Sequence, residues 1–302
     1  MEQPVRTRIA PTPSGYLHIG NLYSFVLTWL VAKKRGGIVM LRIDDLDTDR
    51  MRPGYLDDIF RALEFIGLRP DEGPSGPADF LQNHSQLKRL ENYRLLLERL
   101  RQSGALYACG CSRRQIKSLN GRAAYPGTCR NLGISLDLPG IAWRLALGTE
   151  FMITFYDSFR QSAIEVDLAA EMGDFVVMRK GGMPSYQLAS LADDLHFGIN
   201  LIVRGEDLTV STAAQIKLAK WLGFSDFLGM QWLHHPLLPN KMGQKLSKSA
   251  GDTSIKWMVE QGLTAPQLLT RIGGLIMGGE IAISSLPELL DCFCSRFITN
   301  GS

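Results

Sequence analysis

Two short stretches of this chain carry residue types suited to handling a phosphate. Residues 10–21 read APTPSGYLHIGN, and His18 and Gly20 stand at the mouth of an apolar helical pattern. Residues 245–249 read KLSKS, two lysines with small hydroxyl residues between and after them, inside a polar, glycine-containing loop at 241–252. Pro11 and Pro13 fix the backbone where a first strand ends, and Gly15 allows a sharp turn. A helix beginning near His18 presents unsatisfied N–H groups and partial positive charge, which suits a nucleotide phosphate. An imidazole on that first turn can donate to a phosphate oxygen, and Gly20 lets a flat ring or the backbone come close. Lys245 and Lys248 can fold over a triphosphate and offset the charge that develops on leaving pyrophosphate. Neither stretch is specific alone. Five histidines and 30 glycines give about half a His-x-Gly by chance in a chain of this composition, and KLSKS alone reads as a solvated loop. The pair, at this separation, is far more specific.

A third constellation is Cys109, Cys111 and Cys129. Five cysteines in all, an odd number, argue against a disulfide framework. Zinc favours four tetrahedral ligands, most often thiolate and imidazole. Cys109 and Cys111 can bite from one turn, with Cys129 returning across a loop. No histidine lies between residues 85 and 195, so a fourth ligand must be another atom. The same three residues also fit buried thiols without a metal. Cys292 and Cys294 read as ordinary apolar residues.

The elements that must position these groups follow from periodicity. VRTRIAP (5–11) reads as a short strand, LYSFVLTWLVAKKRG (22–36) as a helix with basic residues in its last turn, and GIVMLRIDD (37–45) as a buried parallel strand: a βαβ unit. Helices are expected over about 54–67 and 85–104, each closed by glycine. From about 108 to 185 cysteines, glycines and short mixed strands replace long helices. The alternating text returns at 184–207, followed by a helix near 212–222, a strand near 230–237 and helices at 255–261 and 265–277. The position after the first strand of an open α/β sheet is where such folds bind ligands. At 302 residues the chain suits a large domain with an insertion. No run approaches a membrane span and no signal-peptide pattern opens the chain, so a cytoplasmic protein is expected. Net charge is only +3, yet residues 99–136 hold seven basic residues (Arg99, Arg101, Arg113, Arg114, Lys117, Arg122, Arg130) and no acidic one. That run reads either as a solvated face or as a surface for phosphates.

The chain resembles the class I aminoacyl-tRNA synthetases, specifically the glutamate group. RIAPTPSGYLHIGN is similar to that group's first signature and KLSKS to its second; LRIDDLD (41–47), YQLASLADD (186–194), VRGEDLTVST (203–212) and HHPLLPNKMGQKLSKSAGDTSIKWMVEQG (234–262) match further. The likeness spans about residues 5–275. It implies an α/β fold, a Rossmann-like catalytic domain (1–107 and 184–240) split by a zinc-bearing insertion (108–183) and followed by the KLSKS loop and a short helical C-terminal segment (241–302). Full members of the group continue into an anticodon-binding domain. This chain stops at Ser302, and with CGC…YPGTCR it resembles the shortened branch that attaches glutamate to the queuosine base of tRNA(Asp).

The resemblance assigns roles. His18, Lys245 and Lys248 act at the phosphates, with Gly20 and Asn21 completing the ATP site and Mg²⁺ accompanying ATP. Arg8 and Arg204 surround glutamate, Tyr186 forms a hydrogen-bonding wall, and Ala10 and Thr12 line the pocket. The amino group meets Asp44, one methylene shorter than the glutamate usual there. Asn21 stands where many class I enzymes carry a second histidine. Tyr125 supplies the fourth ligand of a structural zinc on Cys109, Cys111 and Cys129. The expected partners are ATP, glutamate and queuosine-bearing tRNA(Asp), with no membrane, and a monomer is expected. Three alternatives stay open: transfer of an activated amino acid to another acceptor, charging of tRNA(Glu), and a non-catalytic RNA-binding remnant.

Overall fold

The computed structural model describes residues 4–112, 114–116, 124–238 and 254–297. In chain order the elements are β1 (Arg6–Ile9), α1 (Ile19–Lys33), β2 (Ile38–Leu41), α2 (Pro53–Phe65), α3 (Leu90–Gln102), β3 (Leu106–Cys109), β4 (Ala142–Leu145), β5 (Met152–Asp157), β6 (Ser162–Asp167), β7 (Val176–Met178), α4 (Tyr186–His196), β8 (Leu201–Gly205), α5 (Thr209–Leu222), β9 (Gln231–His235), α6 (Ile255–Glu260), α7 (Ala265–Met277) and α8 (Leu286–Phe297). Short helical turns lie at Pro77–Arg89, Leu168–Glu171, Glu206–Leu208 and Ser225–Leu228. Packing divides the chain into two compact units. One comprises residues 1–88, 201–205 and 235–302; the other comprises 89–200 and 206–234. The change of sequence texture near residue 108 is therefore not where packing divides. Helix α3 lies before that point but packs with α4 and α5 in the second unit.

The first unit is built on the expected βαβ turn. β1 and β2 pair in parallel, Arg8 opposite Met40, and α1 is the crossover between them. The apolar spacing of α1 buries Leu22, Val26, Leu30 and Ala32 completely. β8 lies beside β1, and α7 and α8 cover α1. α7 starts at a capping box, with Thr264 and Gln267 satisfying each other's backbone N–H groups, and ends on left-handed Gly278. β2 ends at Leu41, short of the strand expected to Asp45. Backbone bonds nevertheless continue beyond it: Arg42 N–H to the Ile9 carbonyl and Asp44 N–H to the Pro11 carbonyl, both 2.9 Å. They tie the loop after β1 to the loop after β2.

The second unit carries two small sheets. β3, β4 and β7 form an antiparallel sheet, and β5 pairs antiparallel with β6 and parallel with β9. A buried ion pair holds α3 to α4: Arg89 Nε lies 2.8 Å from Asp193 Oδ1, which also accepts the Tyr93 hydroxyl at 2.7 Å. Asp157 accepts the backbone N–H of His234 at 2.9 Å, and its Oδ2 lies 2.6 Å from the same ring's Nδ1. No helix among the described residues is long and apolar enough to cross a membrane.

Candidate nucleotide site and metal centre

His18 is the N-cap of α1, with extended backbone at φ −121° and ψ 171°. Its Nδ1 accepts the Gly20 N–H at 3.1 Å, and its own N–H donates to Asn21 Oδ1 at 3.0 Å. An Nδ1 that accepts carries no proton, so the neutral ring keeps its N–H at Nε2. The imidazole thus caps the helix with one nitrogen and holds a donor on the other. Gly20 leaves room for this. A Cβ there would lie 3.1 Å from both Nδ1 and Cε1 of His18, so the flat ring that approaches it is His18's own. Asn21, which the resemblance assigns to the ATP site, uses its side-chain oxygen on the cap.

The segment before His18 is held from two directions. Asp58, on α2 and 5% exposed, accepts the Leu17 N–H at 2.7 Å. Burial raises the Asp58 pKa, against the lowering effects of that N–H and of the Lys256 and Arg61 charges. On the other side the Leu17 carbonyl accepts the Ile255 N–H at 2.8 Å, and His18 forms an antiparallel bridge with Ser254. Ser254 is the fifth residue after Ser249 of KLSKS, so the chain emerging from the second signature is paired with the first. The chain entering that stretch meets the same helix. His235 Nε2 lies 3.0 Å from Ser24 Oγ, and its ring packs edge-on to Tyr23 at 5.1 Å. Lys245 and Lys248 themselves lie outside the described residues.

Arg8 on β1 and Arg204 on β8 are each 4% exposed and lie on neighbouring strands. A guanidinium suits a planar carboxylate. Ala10 and Thr12 follow in the loop after β1; Thr12 is exposed, and its carbonyl accepts the Ser14 N–H at 2.8 Å. Asp44 is buried and met by its own neighbour. Arg42 reaches its two oxygens from Nε at 2.8 Å and Nη2 at 3.2 Å. An ammonium group reaching Asp44 shares it with that guanidinium. Tyr186 belongs to the second unit. It is the first residue of α4, behind the Ser185 cap and 40% exposed, and it lines a cavity of about 310 Å³ with Tyr125, Arg144, Phe175 and Gln187.

The cysteines converge. The three sulfurs lie within 4.8 Å of one another, Cys111 and Cys129 at 3.5 Å. The Tyr125 hydroxyl sits among them, 3.4 Å from Cys109 Sγ and 3.7 Å from Cys111 Sγ, and accepts the Cys129 N–H at 2.9 Å. A tetrahedral zinc with Zn–S of about 2.3 Å and Zn–O of about 2.0 Å has S···S edges near ~3.8 Å and S···O edges near ~3.5 Å. The Cys111–Cys129 edge and the two edges from the hydroxyl to Cys109 and Cys111 lie within about 0.3 Å of those values, and the donor set suits such an ion. Tyr125 is fixed by backbone: its N–H donates to the Met172 carbonyl at 3.1 Å, and it bridges Gly173. Gly173 has φ +67°, and a Cβ there would fall 2.1 Å from the Tyr125 carbonyl oxygen, so no other residue fits without displacing the loop. Burial pushes the Cys109 thiol up, but the Tyr125 hydroxyl and the Arg144 charge outweigh it and bring the thiol down to about 7. Burial and the neighbouring thiols raise Cys111. Cys292 and Cys294 are half-buried and far along the chain, on α8.

The basic run at 99–136 serves the fold first. Arg99 donates to the Leu222 carbonyl at 2.7 Å and lies 5.1 Å from the Phe224 ring; Arg101 pairs with Asp137 at 2.7 Å; Arg130 pairs with Asp174 at 2.6 Å. Arg114 is exposed, while Arg113, Lys117 and Arg122 lie outside the described residues.

The profile of the tRNA synthetases class I (E and Q), catalytic domain, matches residues 4–281. A glutamyl-Q tRNA(Asp) synthetase of Burkholderia cenocepacia (strain HI2424) is 40% identical over 265 residues, covering 85% of this chain and 84% of that one. A protein of the same name from Dechloromonas aromatica (strain RCB) is 41% identical over 254 residues, covering 82% and 79%. A glutamate tRNA ligase from Elizabethkingia meningosepticum CCUG26117, solved in complex with its amino acid, matches with a TM-score of 0.76 at 24% identity. That match covers 95% of this chain but 64% of the ligase, less than two thirds of its length, and it is a likeness of fold.

Proposed function

Because the chain belongs to the class I tRNA synthetases (E and Q), among the glutamyl-Q tRNA(Asp) synthetases, and is a ligase, we propose that it activates glutamate with ATP and passes it to queuosine of tRNA(Asp). In the first step the glutamate α-carboxylate attacks the α-phosphorus of ATP, an O–P bond forms, and pyrophosphate leaves. The nucleophile is already anionic, so positioning and charge stabilisation carry the step. His18 donates from Nε2 to a phosphate oxygen. Lys248, assisted by Lys245, offsets charge on the departing pyrophosphate, with Mg²⁺ accompanying ATP. Arg8 and Arg204 receive the substrate side-chain carboxylate, and Thr12 and Ala10 line the approach. Asp44, together with its Arg42 partner, orients the amino group. In the second step a hydroxyl of the queuosine cyclopentene ring attacks the acyl carbon, an ester forms, and AMP leaves.

The observation that carries this reading is the pairing of Ser254 and Ile255 with Leu17 and His18. It attaches the chain that follows KLSKS to the start of the helix that receives a phosphate. Zinc on Cys109, Cys111, Cys129 and Tyr125 is structural in this scheme. It cross-links two loops of the second unit and takes no part in either step.

Amino-acid-dependent pyrophosphate exchange across all twenty amino acids, followed by charging of tRNA(Asp) with and without queuosine, tests the proposal. Exchange with glutamate and charging of the modified tRNA alone are expected. Glutamate exchange with no charging of either tRNA would redirect the second step to another acceptor. Charging of tRNA(Glu) would do the same, and absence of exchange would remove the first step.

A further inference from the structure

We infer that Arg144 is the fixed counter-charge of the metal centre, a positioning residue whose cation balances the excess negative charge of the ligand set. The inference rests on the metal reading above and concerns a residue that sequence motifs do not mark.

Arg144 lies on β4 and is 6% exposed. Among the described residues no carboxylate is within ion-pair distance of it. The nearby Asp174 carboxylate is taken by Arg130, whose Nε and Nη2 lie 2.8 and 2.6 Å from Oδ2, and by the Tyr107 hydroxyl at 2.6 Å. Arg144 reaches only the Asp174 backbone carbonyl, from Nη1 at 2.6 Å, and its Nε is buried with no hydrogen-bond partner. A buried guanidinium without an anion is costly, and one partner missing from such a pair is strongly destabilising. The anion it lacks is the centre itself. The guanidinium carbon stands 3.7 Å from the centroid of the Tyr125 ring, and Arg144 pairs across the sheet with Tyr107, two residues before Cys109.

The charge sum points the same way. Three thiolates around a divalent ion leave one net negative charge, and an ionised phenol would leave two. That charge sits beside Cys109, which is fully buried, and beside Tyr125, which is nearly so. A permanent cation stacked on one ligand offsets that charge and stabilises the loaded centre. Arginine suits the place because it stays charged when buried and stacks flat on an aromatic ring.

The test compares Arg144→Met, which keeps bulk without charge, and Arg144→Lys, which keeps charge without the planar fork. Zinc affinity is measured by competition with a chromophoric chelator. The Co²⁺-substituted proteins report ligand identity through their absorption spectra, and circular dichroism reports folding. Loss of zinc affinity by about 10–100-fold is expected for the Met variant, with most of it restored in the Lys variant and an unchanged four-ligand cobalt spectrum in both. A Met variant that folds and binds zinc as tightly as the parent would overturn the inference. So would a Lys variant as poor as Met, which would make the role one of shape. If Arg144→Met fails to fold, the comparison moves to a Cys109→Ser background, whose centre has lost its excess charge. There Arg144→Gln should add little to the loss of zinc affinity; an undiminished effect overturns the inference. A parent protein that binds no zinc at all instead removes the metal reading on which the inference stands.

Discussion

Asp58 allows the placement of His18 to be tested without touching the imidazole. Its Oδ2 accepts the Leu17 N–H at 2.7 Å, with Asp58 5% and Leu17 3% exposed. Asp58→Leu deletes the acceptor and leaves a buried N–H unsatisfied, a loss of about 1–3 kcal/mol. Asp58→Asn keeps an oxygen for the same bond and removes the charge. Burial raises the Asp58 pKa in the fold. A carboxyl raised in this way binds an extra proton in the folded state between its unfolded and folded values. Its contribution to stability is greatest at low pH and declines as pH rises through the folded value. Asparagine has no such decline. Urea unfolding across a pH series should therefore show the Asn variant gaining on the parent as pH rises from about 4, then holding level. The Leu variant should lie below both at neutral pH. Pyrophosphate exchange should fall at least about tenfold in the Leu variant, equivalent to roughly 1.4 kcal/mol on the barrier, and little in the Asn variant. If Leu costs neither stability nor exchange, or if Asn is as damaging as Leu at pH 7, the bond from Asp58 does not set the loop.

Gly20→Ala should push the His18 ring aside by a few tenths of an ångström and weaken the cap by about 1 kcal/mol; exchange kinetics beside thermal unfolding should show the larger loss in rate. Gly173→Ala places a Cβ against the Tyr125 backbone in a left-handed conformation, and should cost more than about 2 kcal/mol and lower zinc content by elemental analysis. Asp193→Ala strands the buried Arg89 guanidinium and the Tyr93 hydroxyl, at about 3–5 kcal/mol in denaturant unfolding. Chelation of zinc should lower the unfolding temperature and leave the Cys129→Ser variant, already poor in metal, nearly unmoved.

The parts of the molecule legible in the sequence are those set by local rules. Proline after β1, apolar spacing in α1 and glycine beyond it specify the βαβ turn, because short-range sterics and burial on one helix face decide it. The convergence of Cys109, Cys111 and Cys129 was legible as ligand types at a workable spacing, whereas Tyr125 came only from resemblance, since a tyrosine carries no spacing rule. What was not legible depends on partners distant in the chain. Asp58 looks like any acid on an amphipathic helix until Leu17 is beside it. Arg144 sits in an apolar strand, IAWRLAL, with nothing local to say which anion it faces. The Asn21 cap was accessible, since the N-cap and the third helical residue form a known pair, but a recognised signature drew the reading toward substrate. Helix α8 was expected only as part of a short helical C-terminal segment; its apolar residues become informative only against α1 and α7.

The bridge between residues 18 and 254 also has a consequence in time. A ribosome delivers His18 long before Ser254, the residue bridged to it. The loop closed by this pairing is long, so its entropic toll grows only logarithmically with length, but a chain that stops short of it lacks the clasp on Leu17 and His18. A nascent chain arrested before residue 254 should be inert toward ATP however well its first eighty residues have folded.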